Sequence, residues 1–80
     1  MKKVEVRLYA GLRQYHPNPG NKETFFIEVE DKAKLGSLLD GLKLPKQELG
    51  IAMVNGKWAK EDYVLQDGDR IGLFPLIGGG

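Results

Sequence analysis

The last stretch of the sequence reads Gly68-Asp69-Arg70-Ile71-Gly72-Leu73-Phe74-Pro75-Leu76-Ile77-Gly78-Gly79-Gly80. Asp69 to Phe74 alternates: Ile71 and Leu73 point one way, Arg70, Gly72 and Phe74 the other, the pattern of a strand with one buried face. Asp67-Gly68 supplies the turn before it, and Pro75, with no N–H to give a ladder, stops it. Two apolar residues follow, then three glycines and the α-carboxylate of Gly80. Glycine loses more freedom on ordering than any other residue, so such a run orders only where something grips it. From Pro75 to Gly80 a fully extended chain reaches about 20 Å and fits a slot that any side chain would block. The chemistry at its tip is one carboxylate. Either that carboxylate is activated and loaded inside a partner enzyme, or the end is inert. Leu76 and Ile77 are more apolar than a free tail needs, which favours burial in a partner. Residues 1–77 are expected to form the domain and 78–80 a flexible tail.

Eighty residues give one small domain. A hydrophobic fraction of 41% is enough for a core. The net charge is +1, with lysines scattered among carboxylates rather than gathered in a stripe, so nucleic acid is not an expected partner. No apolar run approaches the roughly 20 residues of a membrane span, and the lysine-bearing N-terminus has no apolar leader core. A cytoplasmic protein is expected. The sequence has no cysteine, which removes disulfides, thiolate metal sites and a cysteine nucleophile. His16 is the single histidine, so a metal site there is not expected.

Upstream, Lys3-Val4-Glu5-Val6-Arg7-Leu8-Tyr9 alternates as a second half-buried strand, with Val4, Val6 and Leu8 inward. Ala10 to Tyr15 allows about one helical turn, and His16-Pro17-Asn18-Pro19-Gly20-Asn21 breaks regular structure. Thr24 to Glu30 is another strand, with Phe25, Ile27 and Val29 inward and Phe26 outward. Asp31 suits a helix N-cap. Leu35, Leu38, Leu39 and Leu42 repeat at the spacing of one helical face, and Pro45 limits that helix. Gly36 and Gly41 weaken it by roughly 1 kcal/mol each relative to alanine, so it depends on tertiary packing. Ile51 to Val54 is a short apolar strand, and Asn55-Gly56 tolerates the positive φ of a tight hairpin turn. Lys57-Trp58-Ala59 begins the return arm, with Trp58 read as packing. Tyr63, Val64 and Leu65 read as an apolar plug. Arg13, Lys57 and Arg70 read as solvated charges. Strand, strand, helix, strand, short arm, strand is an α+β arrangement in which one helix covers one face of a mixed sheet of four to five strands.

This order, with glycines running straight out of the last strand, resembles the ubiquitin-like β-grasp sulfur carriers of the MoaD/ThiS family. Leu65 to Gly80 resembles their "L-x-x-G-D-x-V-x-x-F-P-P-x-x-G-G" ending, Val54-Asn55-Gly56 their "V-N-G", and Leu8-Tyr9-Ala10-Gly11-Leu12-Arg13 the "L-F-A-x-L-R" opening of the MoaD branch. Leu76 replaces the second proline of the MoaD pattern, and the triple glycine is similar to ThiS-like tails. The resemblance implies a protein co-substrate rather than an enzyme. It binds no cofactor itself. A ubiquitin-activating-enzyme-like partner uses ATP to adenylate Gly80, and a persulfide-bearing protein then delivers sulfur, leaving a thiocarboxylate. In the MoaD branch that sulfur builds molybdopterin at a site on the larger synthase subunit. Gly78 and Gly79 would thread the partner's channel, with Phe74, Pro75, Leu76 and Ile77 forming the partner contact at its mouth. If the first and last strands are parallel neighbours, as in β-grasp folds, Tyr9 and Phe74 meet at the root of the tail as a docking patch or a cross-strand pair. A ThiS-like carrier for thiamine or cysteine synthesis, a modifier conjugated to lysines, and a β-grasp interaction domain with an inert tail are the other readings.

Overall fold

The period-two segments form strands and the leucine-spaced segment forms a helix. The computed structural model describes residues 1–17 and 24–76. Its strands are β1 (Lys2–Leu8), β2 (Thr24–Val29), β3 (Leu49–Val54), β4 (Lys57–Trp58) and β5 (Arg70–Pro75). The α-helix α1 is Leu35–Gly41, and two 3-10 segments span Ala10–Tyr15 and Lys46–Glu48. The expected end of the domain at Ile77 and the tail Gly78 to Gly80 lie outside the described residues, as do Asn18 to Asn21 of the proline-rich connection.

One five-stranded sheet runs in the order β2-β1-β5-β3-β4. β1 and β2 pair antiparallel, while β1 and β5 pair parallel, with Val6 opposite Ile71 and Leu8 opposite Leu73. The alternation therefore sets Val4, Val6, Leu8, Ile71 and Leu73 on one face, each buried, against Leu35 and Leu38 of α1. Leu39 and Leu42 pack on the edge of that cluster. Leu12 and Leu65 are fully buried as well. Phe26 lies on the opposite face, as its parity requires, and is exposed.

The helix start differs from the expected one. Asp31 does not cap α1, which begins four residues later with Lys34 at the cap position and no side-chain capping bond. The Leu35 amide instead donates to the Tyr63 carbonyl at 2.8 Å, and the Gly36 amide to the Glu61 carbonyl at 2.9 Å. Backbone from a distant segment thus satisfies donors that a local side chain usually meets. The Asp31 carboxylate lies 3.6 Å from the Met1 ammonium. The plug is also divided. Leu65 is fully buried and Tyr63 half-buried, but Val64 is exposed and bridges to Lys34. His16 is a packing residue: its ring meets Phe25 edge-on at 4.8 Å.

The two helical glycines differ in surroundings. A Cβ on Gly41 would meet nothing within 4 Å, whereas one on Gly36 would lie 3.1 Å from the Glu61 Cβ and 3.3 Å from the carbonyl oxygen that caps the helix. Gly41→Ala is therefore expected to stabilise the domain by up to about 1 kcal/mol. Gly36→Ala should give no gain, because the capping segment must move. Urea denaturation of both variants checks the contrast.

Candidate functional site

The site is built where β5 ends. Parity points Phe74 away from the core, and the parallel pairing of β1 with β5 brings Tyr9 beside it, the Tyr9 amide donating to the Leu73 carbonyl at 3.1 Å. The two rings stack with centroids 4.1 Å apart and planes 10° from parallel. The Arg7 guanidinium lies 4.9 Å from the Tyr9 ring centre. Both rings lean over Gly72, where a Cβ would lie 3.4 Å from each.

The same outer face continues across β3 and β4. Ile51 pairs with Phe74, Met53 with Gly72, and Trp58 with Met53. Ile51 is 37% exposed, Trp58 77% and Leu76 58%. Trp58 is therefore not the packing residue expected from the sequence: β4 is two residues long, and its outward position leaves the indole in solvent while Ala59 packs on the core. Tyr9, Phe74, Ile51, Met53 and Trp58 form an apolar band that leads to Leu76. The sequence reading found Phe74 and Tyr9 but missed Ile51 and Met53. In the uniformly apolar Ile51-Ala52-Met53-Val54 the faces cannot be told apart, although the period of two already paired Ile51 with Met53.

Pro75 and Leu76 stand at the root of the tail. The Leu76 amide donates to the Glu48 carbonyl at 2.9 Å. The Glu48 carboxylate accepts from the Tyr15 hydroxyl at 2.9 Å, a bond that favours the neutral phenol and raises the Tyr15 pKa. Ile77, Gly78, Gly79 and Gly80 lie outside the described residues.

A second polar cluster closes the far end of β5, and sequence reasoning missed its centre. Asp69 is 4% exposed. Its Oδ1 accepts from Asn55 Nδ2 at 2.9 Å, and its Oδ2 accepts from the Tyr63 hydroxyl at 2.9 Å and the Gln66 amide at 2.8 Å. Asn55 Oδ1 accepts from the Arg70 amide at 2.9 Å. Asn55 and Gly56 have φ of 54° and 81°, as a tight hairpin turn requires. The "V-N-G" and "G-D" motifs therefore meet in space as a structural joint, at the opposite end of β5 from Pro75. Among the described residues, no three His, Cys, Asp or Glu side chains gather as metal ligands, and no helix is long and apolar enough to cross a membrane.

The family model described as Mut7-C ubiquitin matches residues 1–78. Among solved structures, the chain is similar to the putative molybdopterin converting factor subunit 1 from Pyrococcus furiosus. The two share 27% identity over 96% of this chain and 100% of that one, with a TM-score of 0.77. A chain in the complex of subunits 1 and 2 of molybdopterin-converting factor from Helicobacter pylori is similar at 26% identity, covering 98% of this chain and 99% of that one, with a TM-score of 0.62. Small archaeal modifier protein 1 of H. volcanii shares the fold at 23% identity, with a TM-score of 0.77 over 96% of this chain and 100% of that one. These likenesses establish a ubiquitin-like β-grasp. No curated protein matches the sequence significantly.

Proposed function

The chain belongs to the Mut7-C ubiquitin family, and on that premise we propose that it is a sulfur carrier loaded at the carboxylate of Gly80. The observation that carries this reading is the apolar band ending at Leu76, beside the point where the glycine segment departs. A carrier needs a broad surface that a visiting enzyme can grip and a narrow end that it can process. The band supplies the first and the side-chain-free glycines the second.

The chemistry follows from the weakness of a carboxylate as an electrophile. An adenylating enzyme of the ubiquitin-activating type uses ATP: a Gly80 carboxylate oxygen attacks the α-phosphorus, and pyrophosphate leaves. The terminal sulfur of a persulfide-bearing protein then attacks the carbonyl carbon and expels AMP. A thiol cleaves the resulting acyl disulfide, is itself oxidised to a disulfide, and leaves the thiocarboxylate. The chain is a co-substrate in these steps and binds no cofactor of its own. In this reading residues 1–77 are the handle and 78–80 the tail. Phe74, Pro75, Leu76, Ile77, Gly78 and Gly79 contact the partner, and the reaction runs in the cytoplasm, where ATP is available.

The likeness to the Pyrococcus furiosus and Helicobacter pylori chains supports molybdopterin synthesis as the destination of the sulfur, with a larger synthase subunit as the acceptor's host. Intact-mass analysis tests the reading. With a cognate adenylating enzyme, ATP and a persulfide donor, one oxygen of the chain should be replaced by sulfur. Phe74→Ala should weaken binding to the adenylating enzyme at least about tenfold, as loss of a central aromatic contact does. Its cost in stability should be only about 1 kcal/mol from the lost ring pair. Unchanged affinity would reassign the Tyr9–Phe74 stack to sheet stability alone.

A further inference from the structure

Gly50 occupies a bulge in β3. Leu49 pairs with Pro75 and Ile51 with Phe74, so β3 carries one residue more than β5 at this point, and that residue is Gly50. Its φ is not in the left-handed region, so turn geometry does not demand glycine. Close approach does. A Cβ built on Gly50 would lie 2.8 Å from the Pro75 carbonyl oxygen, 3.0 Å from Leu76 Cα and 3.1 Å from Leu76 N. All three are backbone atoms, which cannot rotate aside as a flexible side chain can. From the same stretch, the Glu48 carbonyl takes the Leu76 amide at 2.9 Å. The bulge and this bond together hold the chain at Leu76, one residue past the end of β5.

We infer that Gly50 is a positioning residue. It lets β3 close on Pro75 and Leu76, so that Leu76, the residue from which the tail continues, is held at a fixed point. The inference rests on the carrier reading and adds a dimension to it. Four residues, Ile77 to Gly80, follow the anchor. At roughly 3.3–3.6 Å per residue they reach at most about 14 Å. The partner that loads Gly80 therefore holds its reacting centre within about that distance of the surface that grips Leu76.

Adenylation kinetics with the chain as the varied substrate, together with amide hydrogen exchange followed by NMR, provide the test. In the wild-type chain the Leu76 amide should exchange slowly. In Gly50→Ala it should lose that protection, and kcat for adenylation should fall about 10- to 100-fold, as a displacement of around 1 Å does. KM should stay within about twofold, because the apolar band that carries affinity keeps its residues. Gly41→Ala, a glycine change whose added Cβ meets nothing within 4 Å, should load like wild type. If Gly50→Ala does not fold, one glycine inserted between Leu76 and Ile77 keeps the anchor and displaces Gly80 by about 3.5 Å; its kcat should fall at least about a hundredfold, as for any misplacement of a full residue. Wild-type kcat in Gly50→Ala or in the insertion variant, or a Leu76 amide exchanging at the unfolded-chain rate in wild type, overturns the inference while leaving the carrier reading standing. A wild-type chain that accepts no AMP and no sulfur refutes the carrier reading and this inference with it.

Discussion

Deleting Gly80 is expected to abolish thiocarboxylation while shifting the thermal midpoint by less than about 2 °C, because a single terminal glycine has no side chain to give to a core. The new terminus, the carboxylate of Gly79, has the same chemistry but ends about 3.5 Å short. A group misplaced by even 1 Å loses around a hundredfold in rate, so a full residue should leave no measurable loading. Appending an alanine after Gly80 should do the same, because the added Cβ must enter a slot shaped for glycine. Among the described residues the buried core runs from Val4 to Leu73, and calorimetry is expected to find both variants folded. Wild-type loading of the truncated chain would remove Gly80 from the chemistry and end the carrier reading. Immunoblots of tagged chain in cell lysate separate that reading from conjugation: a carrier runs as one free species, a modifier as a ladder that also depends on Gly80.

The fold was legible wherever a period was strong. Val4, Val6 and Leu8, and Ile71 with Leu73, showed their buried face by alternation alone, and the leucines of α1 showed theirs at helical spacing. Asn55-Gly56 marked the hairpin because few residue pairs tolerate positive φ twice in succession. What failed depended on contacts distant in sequence. Asp31 looked like a cap because caps are usually local, but the carbonyls of Glu61 and Tyr63, some 25 to 30 residues away, reach the amides of Gly36 and Leu35 first. Trp58 reads as packing in sequence, but on the two-residue β4 it faces outward and is exposed. Gly50 could not be singled out among 11 glycines, since a close backbone approach leaves no local signature. The resemblance to sulfur carriers anticipated that Tyr9 and Phe74 meet, but its motifs mixed two roles. Phe74 belongs to the outer band, whereas Asn55 and Asp69 knit the opposite end of β5. Matching residues to the pattern therefore says less about function than where each one lies along that strand.

Asp69→Ala is the substitution expected to damage the fold most without touching the tail. The carboxylate is buried and takes three hydrogen bonds, from Asn55 Nδ2, the Tyr63 hydroxyl and the Gln66 amide. Alanine leaves all three donors without their acceptor and opens space beside the Asn55 turn, at a cost of about 3–4 kcal/mol. A domain of this size has only about 4–12 kcal/mol in total, and each kcal/mol shifts the midpoint by about 4–8 °C, so a fall of at least about 12 °C is expected. Asp69→Asn should cost less but not nothing. Its oxygen can keep Tyr63 and Gln66, yet its amide then faces the Asn55 amide, donor against donor. If Asn55 flips to accept, it gives up the bond from the Arg70 amide. The same bond ties stability to alkaline pH. Tyr63 has a pKa raised above 10.0 by its hydrogen bond to Asp69, then by burial and by the carboxylate's charge. A pKa raised in the folded state means that its contribution is fully present below pH 10 and is lost as pH rises through the folded value. Tyr63→Phe should therefore flatten part of the stability loss that wild type shows above pH 10, a difference that urea titrations at pH 8 and pH 11 can read. Loading separates this joint from the working end. Asp69→Ala, assayed cold where it remains folded, should accept sulfur at the wild-type rate, because Leu76 and its anchor lie at the other end of β5. Full stability in Asp69→Ala would mean that the buried carboxylate does not hold the two turns together, and slow loading by the folded variant would mean that the two ends of β5 are coupled.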